Sequence, residues 1–435
     1  MRSEKLSLGR RAVLAVVALT LALSLMTASR AVAQTETVLF TFGYESDSIG
    51  AMPAGGVVRD SAGNLYGATT YGGSYSNGGW GYGAAYELSP AAGGGYTETI
   101  LHNFGGSNGD GMYPQSGLIS DAFGNLYGTT WGGGAYGFGT VFELSPVEGG
   151  EWTETIVHSF PNNGSDGLNP IAGVAFDRAG NLYGTTYYGG PNYCGTSYQG
   201  DPYNCGVVYE LSPRAGGGWS EKLVHAFINN GKDAVNPDAA RLAVDDKGNL
   251  YGAASGGVYG YGVAYELRPA AGGRWTEKLL HSFNNNHKDG WGLQGGFIFD
   301  ALGNLYGTTS AGGINTEWGT VYELMPGADG NWTEKILLSF NEGKQGDAPE
   351  AGVAFDAVGN LYGSTFFGGP GNSGTVFKMS PNGTGGWTEI ILHSFSNSNI
   401  EWPNSPVILD PAGNVYGTTP GESGAGGGVV YEVTP

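Results

Sequence analysis

Residues 177–186 read Asp-Arg-Ala-Gly-Asn-Leu-Tyr-Gly-Thr-Thr, and this stretch decides how the rest of the chain is interpreted. Its core, Gly-Asn-(Leu/Val)-Tyr-Gly, occurs seven times, with the asparagine at Asn64, Asn125, Asn181, Asn249, Asn304, Asn360 and Asn414. The period is about 58 residues, which suits a four-stranded propeller blade with long loops. We therefore expect residues that recur in most copies to build the scaffold. Residues found in a single copy are where individual function is expected.

Each copy contains four strand-like segments in a fixed order. Examples are an apolar run ending in aspartate (173–177), the Asn-Leu-Tyr-Gly-Thr-Thr segment (181–186), a Gly-Thr-Val-Phe-Glu-Leu-Ser-Pro segment (139–146) and a segment that starts with Trp-Thr-Glu (275–283). The segments are short, rich in β-branched and aromatic residues, and bounded by glycine, proline, asparagine or serine. The sequence therefore predicts an all-β fold.

The order of the segments also predicts how the ring closes. The repeats begin at residues 35–42 with a fourth segment and end at residues 428–435 with a third segment. We therefore predict a seven-bladed β-propeller with four-stranded blades, in which the N-terminal strand completes the last blade. A closed ring leaves no open sheet edges, and we expect a monomer.

The first 33 residues have the pattern of a signal peptide. A basic start precedes an apolar stretch (12–26), and Ala31-Val32-Ala33 forms a small-x-small cleavage site before Gln34. We expect cleavage after Ala33, a propeller domain of residues 34–435, and a secreted protein that is extracellular or periplasmic. No later segment is apolar enough to cross a membrane. Cys194 and Cys205, both in an insertion of the third copy, are expected to form a disulfide in that compartment.

The excess of acidic over basic residues limits the kinds of molecule that the protein is expected to bind. The 19 basic and 39 acidic residues give a net charge of −20, which argues against nucleic-acid or anionic-membrane binding, because both need a basic face. It favours solubility and the attraction of cations or cationic partners.

The motifs argue against an enzyme. The sequence has no Gly-x-Ser-x-Gly elbow, no phosphate-binding loop and no His-Glu-x-x-His. Five histidines occupy the same place in the fourth segment, where the other two copies have Phe40 and Leu338. A shared catalytic or metal-ligating role does not tolerate such replacement, so we expect no catalytic histidine, no metal ligands and no cofactor. A structural divalent cation remains an alternative.

Two kinds of loop are expected on one face of the propeller. The loops between the fourth and first strands carry acids, predicted to surround the mouth of the central channel: Asp110, Asp166, Asp233 and Asp289. The loops between the second and third strands carry aromatics: Trp80, Trp131, Tyr188, Tyr203, Tyr261, Trp318 and Phe367. Aromatic platforms beside carboxylates suit sugar rings and hydroxyls, or a cation. The same residues also fit turn chemistry and loop packing.

These features favour a non-enzymatic protein that binds a glycan or an extracellular protein through this face. A cation-dependent lyase or hydrolase at the channel mouth and a structural extracellular scaffold are the two alternatives.

The repeated pattern Asp-x-x-Gly-Asn-Leu-Tyr-Gly-Thr-Thr, followed by a glycine pair and Gly-Thr-Val-(Phe/Tyr)-Glu-Leu-Ser-Pro, resembles the GloVer tandem repeat of secreted bacterial proteins. The resemblance covers residues 35–435. It implies an extracytoplasmic bacterial protein and carries over no catalytic residues. The Asp-x-x-Gly-Asn-Leu-Tyr portion is also similar to NHL-type propellers, and the glycine pair to kelch units. Members of the GloVer family are anchored to the cell at the C-terminus. Because this sequence stops at its last strand, we expect a periplasmic or released protein.

Overall fold

The computed structural model describes residues 34–43, 50–76, 79–196, 202–237, 241–341, 343, 345–396, 400–421 and 427–435. Within these ranges the chain folds into seven small antiparallel sheets of four strands each, arranged in a ring. The protein is a seven-bladed β-propeller, as predicted. The predicted signal peptide, residues 1–33, lies outside the described residues. No helix in the described ranges has the length and apolar character needed to span a bilayer.

The first and second strands of each blade lie nearest the central channel. The first strands, several of them interrupted, are Gly50–Arg59; Gly111–Pro114 with Ile119–Ser120; Gly167–Leu168 with Ala175–Phe176; Ala234–Val235 with Ala243–Val244; Gly290–Trp291 with Ile298–Phe299; Ala354–Phe355; and Ile408–Leu409. The second strands are Leu65–Gly72, Leu126–Gly133, Leu182–Thr186 with Tyr188–Gly189, Leu250–Gly256, Leu305–Thr309 with Ala311–Gly312, Leu361–Thr365 and Val415–Thr419.

The third and fourth strands form the outer half of each blade. The third strands are Ala84–Pro90, Thr140–Pro146, Val207–Pro213, Val263–Ala270, Thr320–Pro326, Thr375–Pro381 and Val429–Thr434. The fourth strands are Tyr96–Asn103, Trp152–Ser159, Trp219–Ala226, Arg274–Ser282, Trp332–Ser339, Trp387–Ser394 and, in blade 7, Thr35–Thr41. Blade 3 adds a small hairpin, Tyr193–Thr196 with Pro202–Asn204, and a short 3-10 turn, Ala271–Gly273, precedes the fourth strand of blade 4.

Blade 7 is built from both ends of the chain, as predicted. The N-terminal strand Thr35–Thr41 pairs antiparallel with Val429–Thr434, with Thr35 opposite Thr434 and Thr41 opposite Val429. Backbone hydrogen bonds therefore close the ring in the same way that they join the third and fourth strands of the other blades.

A hydrogen-bonded turn explains the repeated Asp-x-x-Gly-Asn motif. In blade 3, Asp177 Oδ1 accepts bonds from the amides of Ala179 (2.8 Å) and Asn181 (2.9 Å), and Asp177 Oδ2 accepts bonds from Asn181 Nδ2 (2.8 Å) and Tyr183 Oη (3.3 Å). Gly180 has a φ of +84°, a conformation that side chains disfavour. The same bonds recur in all seven blades. The motif is therefore a structural turn, as the sequence indicated.

The core lies between blades and repeats around the ring. A buried aromatic on each third strand packs against the phenylalanine that follows the fourth strand of the preceding blade, as Tyr209 does with Phe160 (ring centroids 5.2 Å apart). The glycine that ends Asn-Leu-Tyr-Gly makes room for this ring. At Gly363, for instance, a side-chain carbon would lie 2.6 Å from Cζ of Phe377. Repetition of this contact gives the interfaces between blades their apolar area.

The blade 3 insertion contains the predicted disulfide. Cys194 and Cys205 are bonded, with Cα atoms 4.9 Å apart. Cys205 is fully buried and belongs to the core cluster that contains Phe227. The bond thus fixes the insertion to the interface between blades 3 and 4.

Candidate functional site

One end of the ring, the loop face, carries the loops between second and third strands and the loops between fourth strands and the next first strands. The opposite end, the turn face, carries the Asp-x-x-Gly-Asn turns. All seven predicted aromatic residues lie on the loop face. Trp80, Trp131, Tyr261 and Phe367 are exposed, whereas Tyr188, Tyr203 and Trp318 are half-buried.

Blades 1 and 2 bring several of these rings together. Tyr71 contacts Trp80 (centroids 5.4 Å apart) and Tyr113 (5.8 Å), and Tyr113 contacts Tyr82 (5.5 Å). We call Tyr71, Trp80, Tyr82 and Tyr113 the aromatic cluster. Trp80 is 57% exposed, so the cluster presents to solvent an aromatic side chain that is supported by neighbouring rings.

Smaller aromatic pairs occupy the corresponding place in other blades. Tyr188 packs on Tyr203 (5.5 Å) and Tyr261 on Trp291 (5.9 Å). Among the described residues, the predicted aromatics on this face therefore form separate ring contacts rather than one cluster.

One position per blade on this face has an unfavourable backbone conformation. Its φ is positive in every copy: Met52, Tyr113, Asn169, Asn236, Gly292, Ala348 and Trp402, with φ between 47° and 74°. In each copy the backbone N–H donates to a carbonyl of the preceding blade, as Tyr113 does to Tyr82 (2.8 Å). Glycine adopts this conformation at the lowest cost. Tyrosine and tryptophan are therefore costly residues at 113 and 402, and sequence reasoning missed this position.

The four predicted acids lie elsewhere than expected. Asp110, Asp166, Asp233 and Asp289 are only 4–8% exposed, and none of them is among the residues that line the channel cavity. Each lies beside the histidine eight residues earlier, for example Asp166 Oδ2 at 3.0 Å from His158 Nε2. The expectation of an acidic channel mouth is therefore corrected, because these side chains turn back toward the outer strand. Whether they bind a ligand stays a prediction.

A glutamate from the next blade completes this outer group. In three cases a histidine, an aspartate and a glutamate place their ligand atoms within 4.8 Å of one another: His102, Asp110 and Glu154; His225, Asp233 and Glu277; His281, Asp289 and Glu334. We call these the His–Asp–Glu groups. His281 Nε2 lies 3.1 Å from Asp289 and 3.6 Å from Glu334, and one oxygen of each carboxylate has no hydrogen-bond partner in the described structure.

The electrostatics of these groups favour binding of a proton or a cation. Burial and the neighbouring Asp289 raise the pKa of Glu334, and burial and Asp233 likewise raise the pKa of Glu277. Such a group has the nitrogen and oxygen ligands that a divalent cation accepts. From the sequence we expected no metal ligands. The eight-residue His–Asp spacing and the recurring Trp-Thr-Glu were the signals that could have indicated these groups.

The central channel contains a cavity with a volume of about 530 Å³. It is lined mainly by first-strand residues of several blades, with Arg241 and Glu350 as charged groups and Gln115, Gln294 and Asn404 as amides. Tyr71 of the aromatic cluster also lines it. The channel and the aromatic cluster therefore adjoin each other.

Comparison with known proteins agrees with this architecture. A family model described as the Gloeobacter/Verrucomicrobia repeat matches residues 27–199, 191–332 and 253–435. The chain belongs to this repeat family. No curated protein matches it in sequence.

Several solved structures are similar in fold to this member of the repeat family. An ancestral GH74 enzyme aligns with a TM-score of 0.56 and 13% identity, over 92% of this chain and 51% of the other. A luciferin-regenerating enzyme aligns with a TM-score of 0.42 and 13% identity, over 92% and 95%. A GH43 β-xylosidase/α-arabinofuranosidase from a compost microbial metagenome aligns with a TM-score of 0.34 and 15% identity, over 69% and 98%. At 13% identity the likeness to the GH74 enzyme concerns the fold alone.

Proposed function

We propose that the protein is a secreted, non-enzymatic binding protein that recognises carbohydrate through the aromatic cluster on its loop face. The main support for the proposal is the backbone conformation of Tyr113. This aromatic residue occupies a position whose φ of 60° favours glycine. Residues with a strained backbone conformation cluster at functional sites. Tyr113 supports Tyr71 and Tyr82, and through Tyr71 it supports the exposed Trp80.

The chemistry of the cluster suits sugars. An aromatic face binds the apolar face of a pyranose, and neighbouring polar groups bind its hydroxyls. Secretion is supported by the disulfide, which persists in oxidising compartments. An extracellular protein partner is the competing ligand, and the test below includes it.

Binding of purified protein to a panel of soluble polysaccharides, measured by affinity electrophoresis and calorimetry, tests the proposal. Trp80→Ala should weaken binding roughly tenfold or more, because a central aromatic anchor is lost. Phe123→Ala is the matched control, since Phe123 is 87% exposed but lies in a turn on the opposite face. Absence of polysaccharide binding, or equal effects of the two substitutions, would contradict the proposal and favour a protein partner.

The His–Asp–Glu groups favour a second candidate, a cation-dependent hydrolase or lyase. Its cation would bind at the outer rim of the loop face, between blades, rather than at the channel mouth. Metal analysis of the purified protein tests it, with His281→Leu as the variant. Leucine occupies the equivalent position naturally at Leu338, so the variant should fold and should lose one bound metal ion per chain. Wild-type protein without tightly bound metal, or unchanged metal content in the variant, would exclude this candidate.

A further inference from the structure

The first strands of adjacent blades approach each other closely beside the channel. Four residues before the turn aspartate, five blades have glycine: Gly56, Gly117, Gly173, Gly296 and Gly352. These glycines approach the preceding blade closely. A side-chain carbon at Gly352 would lie 2.7 Å from the carbonyl oxygen of Gly296, and one at Gly56 would lie 2.8 Å from that of Pro406. A side chain at Gly56, Gly117 or Gly352 would therefore clash with the neighbouring backbone.

Two blades differ: Pro406 occupies this position in blade 7 and Arg241 occupies it in blade 4, where it is the one charged residue in the series. Arg241 is one of the residues that line the channel cavity. Its Nε lies beside Gly173 of blade 3, 3.5 Å from where a side-chain carbon on that glycine would be. Residues that recur in most blades are expected to build the scaffold. A residue found in only one blade, such as Arg241, is therefore a candidate for a functional role.

The guanidinium of Arg241 has no protein partner among the described residues: no carboxylate lies within ion-pairing distance, and no group accepts a hydrogen bond from it. Burial lowers the pKa of this guanidinium, although an arginine still carries its charge at neutral pH. A guanidinium offers five N–H donors, and holding its charge away from bulk water is costly without acceptors. The side chain is thus available for an acceptor that enters the cavity.

Glu350 does not act as the acceptor for the Arg241 guanidinium. It lines the same cavity but forms no ion pair with Arg241 in the described structure. Burial alone raises the pKa of its carboxyl group. The amides of Gln115, Gln294 and Asn404 add polar groups without charge.

We propose that the channel binds a carboxylate group and that Arg241 is the residue that recognises it. A carboxylate accepts two parallel N–H bonds from a guanidinium, which fixes its orientation as well as its charge. The cavity of about 530 Å³ has the size of a small-molecule site. Tyr71 belongs to both the cavity lining and the aromatic cluster, so one ligand can occupy both. The ligand class is therefore an acidic sugar, with its ring near the cluster and its carboxylate in the channel. The choice of a sugar rests on the proposed function, whereas the carboxylate site does not.

Calorimetry with three probes tests the inference: trigalacturonate, its fully methyl-esterified form, and succinate, which has carboxylates but no sugar ring. Wild-type protein should bind trigalacturonate roughly tenfold more tightly than the ester, because one charge-assisted pair is gained. Arg241→Gly, which introduces the residue that five other blades have, should abolish this preference without changing the affinity for the ester. Arg241→Met keeps the side-chain volume and should behave in the same way. Melting temperatures of both variants check the fold.

The outcomes separate this inference from the proposed function. Trp80→Ala should weaken binding of both sugars and leave succinate binding unchanged. If succinate binds in an Arg241-dependent manner while neither sugar binds, the carboxylate site stands and the carbohydrate proposal fails. If the preference for the acid survives in both Arg241 variants, or if no carboxylate probe binds wild-type protein, the inference is overturned.

Discussion

The backbone amide of Phe42 donates a hydrogen bond to the carbonyl of Gly428 at 2.9 Å, and this bond joins the first strand of the propeller to the last. The ring of Phe42 then packs against Tyr86 of blade 1, with centroids 4.9 Å apart. Phe160 makes the equivalent contact with Tyr209 between blades 2 and 3, at 5.2 Å. The interface between blades 7 and 1 is therefore built like an internal one, although the other three strands of blade 7 come from the C-terminal end of the sequence.

Phe42→Ala should consequently destabilise the protein as much as an internal phenylalanine does. Both Phe42 and Phe160 are buried, at 2% and 0% exposure, and truncation of a buried phenylalanine costs about 3 kcal/mol or more. Urea unfolding of Phe42→Ala and Phe160→Ala measures the comparison. A much smaller loss for Phe42→Ala would mean that the N-terminal strand contributes little to closure.

Two adjacent aspartates in blade 4 allow the stability contributed by the turn motif to be compared with that of an ordinary surface charge. Asp245 accepts four bonds, from Lys247 N, Asn249 N, Asn249 Nδ2 and Tyr251 Oη. Asp246 is exposed and pairs with Arg178 on the surface. Asp245→Ala should lower the free energy of unfolding by roughly 2 kcal/mol, because several charge-assisted bonds are lost. Asp246→Ala should change it by about 0.5 kcal/mol or less. Equal losses in urea unfolding would argue against the turn as a source of stability.

The sequence predicted the propeller because its signals are local and repeated. The Asp177 turn is complete within seven residues, and the order of segments at the two chain ends indicated which strands close the ring. The orientation of Asp289 was not predictable in this way, because it depends on His281 and on Glu334 of the next blade. The sequence shows that Arg241 replaces a repeated glycine, but it does not show that this position lines the channel, because the lining is formed by first strands from several blades.

The loop-face position that has a positive φ in every blade allows backbone strain to be tested. Ala348 has a φ of 51° and donates its N–H to the carbonyl of Trp318, whereas Gly292 occupies the same position in blade 5. Ala348→Gly should stabilise the protein by about 0.5–1 kcal/mol, because relief of the left-handed strain exceeds the added freedom of the unfolded chain. Ala357→Gly, in an exposed turn without a positive φ, should be neutral or destabilising. Thermal and urea unfolding of both variants measure the difference, and destabilisation by Ala348→Gly would show that the position is unstrained.

Ionisation of Glu98 should lower the free energy of unfolding of the protein as pH rises. It occupies the place of Glu334 in blade 1, but Phe40 replaces the histidine of the preceding blade. Burial raises the pKa of Glu98 from 4.5 to about 7, and one of its oxygens has no partner in the described structure. Because the folded state holds this proton more tightly than the unfolded state, the stabilising contribution is complete below pH 4.5. It is lost as pH rises through about 7.

Glu98→Gln removes this titration while keeping the side-chain shape. The variant should be more stable than wild type by about 1 kcal/mol at pH 8, after allowance for solvent screening of a partly exposed group, and the difference should shrink at pH 5. Urea unfolding at both pH values measures it, with Glu148→Gln as the control because Glu148 is exposed. Parallel pH profiles for wild type and Glu98→Gln would mean that Glu98 is ionised in the folded protein at neutral pH and that solvent or a neighbouring group compensates its charge.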